Sequence, residues 1–215
     1  MKNRPFLLAL PFGLLTLVLA LTMPSIPRET GVRNPIVELE FARSAADVQQ
    51  VLGTGEEVRE ATLQSVRADR FFLLAYSAFL AVSCFLSWRK KRQWGLLLGI
   101  VLSVAAAIFD HFENQQLFQI LRSPDADWPS FLSLLSIFTW IKWGAIAAVF
   151  LLLGWSYKDL NRFGRVFLAF AGFTALIAVE AVFLPVLVVP FSTLVALLFL
   201  LLFLFQLTYS NKPQA

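Results

Sequence analysis

Asp110, His111, Glu113 and Asn114 close an apolar run that opens near Gly95. Ionisable groups within a membrane-length apolar segment are costly, and they mark functional positions more often than ordinary ones. On a helix, Asp110, Glu113 and Asn114 fall at i, i+3 and i+4 and share one face. Two carboxylates one turn apart repel, so they call for a cation between them, a lysine or arginine partner, or a retained proton. His111 points about 100° away from Asp110. Asp110, His111 and Glu113 offer ligand types for a divalent cation, although three such groups at this spacing are not a distinctive zinc pattern.

Further polar residues sit in other apolar runs. Asp69 and Arg70 open one of them, and Tyr76 lies two turns on from Asp69 on the same face. Lys142 stands near the middle of another, between Trp140 and Trp143, and Glu180 is one turn from the end of a third. A ligand site would therefore draw on Asp69, Arg70, Tyr76, Asp110, Glu113, Asn114, Lys142 and Glu180. Arg70 and Lys142 are its available counter-charges. Two plainer readings compete for the same residues, namely structural ion pairing between helices and anchoring at the membrane interface. The sequence has no HExxH, CxxC, P-loop or GxSxG motif.

The elements that must position these residues are transmembrane helices. Of 215 residues, 58% are hydrophobic and 22 are Phe, well above the apolar share of a soluble domain. Runs of membrane length predict an all-α bundle of about six spans, near residues 6–23, 71–88, 95–114, 131–155, 166–184 and 191–209. The first run is short enough to be weighed against a signal peptide, but Ala20-Leu21-Thr22 makes a poor cleavage site and a retained helix is expected. Pro11 is expected to kink it. Pro185 and Pro190 bracket a turn before the last span. The lone Cys84 lies within an apolar run and reads as a buried small hydrophobe.

Residues 24–68 form a polar insertion between the first two spans. Ser44, with Asp47 three residues on, has the form of a capping box, and Ala45, Val48, Val51 and Leu52 then share one helical face. Gly53 and Gly55 end that helix. The face is expected to pack on the ends of the spans as a partial lid, since an apolar stripe seldom stays solvated. From Glu56 to Trp88 there is no Gly or Pro, which predicts one long helix whose first turns precede the membrane.

The net charge of +4 is not a nucleic-acid signal, because the basic residues cluster in short loops. Lys2, Arg4, Arg89 to Arg92, Lys158, Arg162, Arg165 and Lys212 fall on one side, against Asp159 alone. Arg28, Arg33, Arg43, Arg59, Arg67, Arg70 and Arg122 fall on the other, among most of the acids. Positive loops mark the cytoplasmic side, so both termini are expected in the cytoplasm and residues 24–68 outside.

The run Glu38 to Leu52, with Glu40-Phe41-Ala42-Arg43-Ser44 in it, is followed by Asp69-Arg70-Phe71-Phe72-Leu73-Leu74-Ala75-Tyr76 and later by Asp110-His111-Phe112-Glu113-Asn114. Over residues 36–121 the chain thus resembles a group of uncharacterised bacterial polytopic inner-membrane proteins in which E-x-A-R-S/T precedes D-x-x-F-x-x-x-Y and D-x-x-E-N. The resemblance implies a bacterial cytoplasmic-membrane location. It singles out Asp69, Tyr76, Asp110, Glu113 and Asn114, and implies no activity. The expected function is binding of a lipid or small amphiphile in a polar pocket in the outer half of the bilayer. The alternatives are a metal-assisted hydrolase or transferase acting on a lipid headgroup, with Asp110, His111 and Glu113 around a divalent cation, and a scaffold subunit for another membrane protein.

Overall fold

The computed structural model describes residues 6–27, 32, 34–53, 55–123 and 127–210. It is an all-α membrane bundle, with no strand among the described residues. Its helices are α1 (Leu10–Thr22), α2 (Pro35–Glu40), α3 (Ala45–Leu52), α4 (Glu56–Lys91), α5 (Gly95–Arg122), α6 (Trp128–Tyr157), α7 (Arg162–Phe183) and α8 (Val188–Ser210). Five segments, α4 to α7 and the segment containing α8, are long and apolar enough to cross a membrane. α1 is apolar but has 13 residues, about 20 Å of helix against a hydrocarbon core of about 30 Å.

The six apolar helices form a closed ring. α1 packs on α4, α4 on α5, α5 on α6, α6 on α7 and α7 on α8, and α8 returns to α1. Aromatic side chains fill the middle. Phe199 of α8 lies 5.0 Å from the Phe150 ring of α6 and 5.9 Å from Tyr76 of α4, centroid to centroid. Much of the unusual Phe content is spent here, because long bilayer helices gain their cohesion from van der Waals packing. Small residues bring the backbones close. A Cβ on Gly154 of α6 would lie 2.9 Å from Leu168 Cα of α7, and one on Gly13 of α1 would strike Phe79 and Phe203.

At one end, α2 and α3 cap the ring. Ser44 Oγ accepts the Asp47 backbone N–H at 3.2 Å, and Asp47 Oδ2 accepts the Ser44 N–H at 2.9 Å, which completes the expected capping box. Gly53 ends α3 with φ 57°, a conformation that glycine reaches at little cost. Val48, Val51 and Leu52 are buried against Leu117, Leu121, Trp128 and Leu132 at the ends of α5 and α6. The helix thus covers the end of the ring, as its apolar stripe predicts. The opposite end carries the Arg89 to Arg92 cluster, Lys158, Arg162 and Arg165. There Phe205 stacks on Tyr157 and on Tyr209, and Phe6 meets Tyr157 edge-on.

Several boundaries depart from the sequence reading. Pro11 does not kink α1. It lies in the first turn, where its missing N–H costs no bond. Pro190 likewise falls in the first turn of α8, which starts at Val188 after a short 3-10 turn at Pro185–Leu187. α5, by contrast, runs through the polar stretch at 110–114 to Arg122, in keeping with a helix expected to reach about Leu121. The charges expected at Lys2, Arg4, Arg28, Arg33 and Lys212 lie outside the described residues.

Candidate functional site

The polar residues of α4, α5 and α6 meet just below the cap, and Lys142 is their centre. α6 is apolar on nearly every face, so the direction of its one buried lysine is set by what can receive it. Lys142 Nζ lies 2.5 Å from Glu113 Oε1, 3.1 Å from Glu40 Oε2 and 3.7 Å from Asp110 Oδ1. It is 4% exposed and Glu113 is 1% exposed. The ammonium occupies the place between Asp110 and Glu113 where the sequence calls for a cation.

Tyr76 on α4 donates to Asp110 Oδ2 at 2.7 Å. Asn114 Nδ2 donates to Asp69 Oδ2 at 2.7 Å, and more weakly to Asp110 Oδ1 at 3.4 Å. The face shared by Asp110, Glu113 and Asn114 therefore does turn inward. It divides between two neighbours, with Asn114 meeting α4, Glu113 meeting α6 and Asp110 touching both. The network joins Asp69, Asn114, Asp110, Lys142, Glu113 and Glu40 in one connected group. Three carboxyls meet one ammonium and a fourth, Asp69, joins through Asn114, so the charge balance belongs to the group rather than to any pair. Glu113 Oε2 is buried without a hydrogen-bond partner among the described residues.

Glu40, the last residue of α2, was not among the expected site residues. Its Oε2 accepts from Lys142 Nζ and from Trp143 Nε1, each at 3.1 Å, and its carbonyl accepts from Thr139 Oγ1 at 3.1 Å. Burial raises the Glu40 carboxyl above its usual range, and the Lys142 charge opposes that rise. A signal for it was present, since Glu40 is the acid of the E-x-A-R-S segment. The other residues of that segment also have tasks. Arg43 Nη2 donates to the Val182 carbonyl at the end of α7 at 2.8 Å, and Ser44 caps α3.

Three expected members stand apart. Arg70 turns away from the cluster and lies over the Phe118 ring at 5.0 Å. It follows Asp69 directly, and neighbouring residues on a helix point about 100° apart, so only one of the two can face Asn114. Glu180 is exposed on α7. The buried face of α7 is Phe167, Ala171, Thr174 and Ala181, and Glu180 lies off it. His111 is exposed against Phe112. The set Asp110, His111 and Glu113 thus does not converge. Among the described residues no group of three or more His, Cys, Asp or Glu is placed to hold a metal ion.

Beside the cluster, the cap and the α7–α8 corner enclose a cleft of about 350 Å³. Glu38, Arg43, Asp47 and Gln50 supply its polar lining. Phe41, Val51, Pro185, Val186, Val188 and Val189 supply its apolar lining. Phe41 separates the cleft from the charges, packing on Trp140 at 4.9 Å and on Trp143 at 6.2 Å. Phe183, Leu184 and Val186 are exposed around the corner, so the apolar wall runs on into the outer surface of the ring. The cleft combines a polar rim, an apolar wall and a volume within the range of small-molecule pockets. No family model, curated protein or solved structure matches the chain.

Proposed function

We propose that the chain is a multi-pass protein of the bacterial cytoplasmic membrane, with both termini in the cytoplasm, that binds a lipid or small amphiphile at the outer interface. The ligand occupies the cleft between the α2–α3 cap and the α7–α8 corner. The observation that carries the reading is the mixed lining of that cleft, whose polar groups all come from the cap while the corner wall is wholly apolar. A headgroup meets Arg43, Asp47 and Gln50, while an acyl chain follows Val186 and Val189 toward the lipid. The buried charges serve the same purpose at one remove. Lys142 holds Glu40, Glu40 ends α2, and α2 leads into the cap wall of the cleft.

The test is lipid analysis of the full-length protein purified in neutral detergent. Wild type is expected to retain a defined amphiphile through purification. Val189→Trp, which fills the cleft, and Arg43→Gln, which removes its cation, are expected to lose it while remaining folded. Retention of the same species by both variants, or recovery of bulk lipid alone from wild type, would sink the reading.

A further inference from the structure

On the other flank of the cap end, α4 and α5 present a second polar recess of about 310 Å³, lined by Arg67, Arg70, Gln115, Phe118, Gln119 and Arg122. It shares no residue with the cleft under the cap. Arg67 and Arg70 are one turn apart on α4. Gln115, Phe118, Gln119 and Arg122 follow at i, i+3, i+4 and i+7 on α5, which is one helical face. Two helices therefore direct three guanidiniums and two carboxamides at a common space.

The charges there are poorly balanced. Arg70 and Arg122 both lie over the Phe118 ring, at 5.0 and 5.5 Å. Among the described residues neither has a carboxylate within ion-pair reach. Among the described residues Arg67 has only Glu60, at 3.8 Å, with both side chains half exposed or more. Asp69, next to Arg70 in the chain, points about 100° away from it, toward Asn114, and makes no ion pair with it. Guanidiniums repel one another, and a ring that two of them share holds them in place without cancelling their charge. Planar forks of this kind match the oxygens of a phosphate group.

We propose that this recess is a binding site for a phosphate-bearing anion. The proposal stands without the amphiphile reading of the cleft. Phosphate could arrive as the headgroup of an anionic phospholipid or as a soluble phosphate monoester. The three cations favour an uncompensated phosphate over one tethered to a choline, whose positive charge they repel.

The experiment follows thermal unfolding of the full-length protein in neutral detergent at constant ionic strength. The probes are dihexanoyl phosphatidylglycerol, dihexanoyl phosphatidylcholine and glycerol phosphate. Phosphatidylglycerol is expected to raise the midpoint and phosphatidylcholine to leave it near its starting value. A matching rise with glycerol phosphate assigns the site to soluble phosphates, and a rise with the lipid alone assigns it to headgroups. Arg70→Gln and Arg122→Gln each remove a charge-assisted hydrogen-bond donor, and each is expected to weaken the response about tenfold. Both side chains are exposed, so the midpoint without probe should not move. Arg67→Gln supplies an independent reading if either variant fails to fold. Equal rises with the two lipids, no rise with phosphatidylglycerol or glycerol phosphate, or a full response in the glutamine variants would each overturn the proposal.

Discussion

Lys142 on α6 and Glu40 on α2 lie 3.1 Å apart across 102 positions of sequence, and their bond fastens the cap to the spanning helices. Removing one partner of a buried ion pair strands the other, at a cost of about 3–5 kcal/mol. Lys142→Met is therefore expected to lower stability by that order, and Glu40→Gln by less, because the amide keeps the shape and still accepts from Trp143. Val48→Cys reports on the cap itself. Its thiol should resist alkylation in the parent protein and react readily once Lys142→Met is added. An unchanged alkylation rate would remove the fastening role.

The same variant should acquire a pH dependence. Burial already raises Glu40 above the usual carboxyl range, with Lys142 opposing it. Without the lysine the rise is larger. A carboxyl whose folded value exceeds its unfolded one lends stability below the unfolded value and loses it as pH rises through the folded one. Lys142→Met protein is thus expected to unfold at a lower temperature near about pH 8 than near about pH 5, with a smaller difference in the parent. Parallel curves for the two proteins would contradict this.

Tyr76→Phe tests the α4–α5 contact. The phenol gives Asp110 a 2.7 Å hydrogen bond in a buried setting, and losing one such donor costs about 1–3 kcal/mol. The loss should be visible as a lowered denaturation midpoint, smaller than that of Lys142→Met, since Asp110 keeps Lys142 and Asn114. A midpoint equal to that of the parent would show that the bond adds nothing.

The length and order of the helices follow from apolar runs, basic loops and the Ser44–Asp47 box, all of them local signals. The site was legible where its members share a helix face, as with Asp110, Glu113 and Asn114, or where i to i+7 spacing ties Asp69 to Tyr76. It was not legible where the partner is distant. Nothing near Glu40 indicates that it meets Lys142, and α6 is apolar all round, so Lys142 carries no phase that would point to a neighbour. Arg70 and Glu180 have suitable charge at a suitable position along the chain. Their direction around the helix excludes them, and that direction depends on which face the neighbouring helix covers.

Gly154 and Gly144 form a matched pair on α6. A Cβ at Gly154 meets the Leu168 backbone, whereas one at Gly144 meets nothing within 4 Å. Gly154→Val is expected to push α7 away and destabilise the protein by about 1–3 kcal/mol. Gly144→Ala should be neutral or stabilising by up to about 1 kcal/mol, through helix propensity. Comparable losses at the two positions would mean that the α6–α7 approach is not tight.

Orientation is open to direct measurement. Gly55→Cys precedes α4 and Gln93→Cys follows it, with 36 helical residues between. The native Cys84 is buried and should stay silent. In intact cells an impermeant maleimide is expected to label Gly55→Cys, and Gln93→Cys only after the membrane is opened. Labelling of both from one side would place the two ends of α4 together and undo the assignment.

The unbroken course of α4 makes it a shaft with a single phase. Its buried residues near the cap, Val58, Thr62 and Val66, and those in the ring, Tyr76, Phe79 and Ser83, lie on one rigid helix. Inserting one residue between the two groups rotates one set against the other by about 100°. The cap would then leave its seat or Tyr76 would leave Asp110. Seven added residues nearly restore the angle, to within about 20°, yet lift the cap by about 10 Å, out of reach of Lys142. This segment can therefore change its residues freely on the exposed side but cannot change its number, so its length is under tighter constraint than its composition.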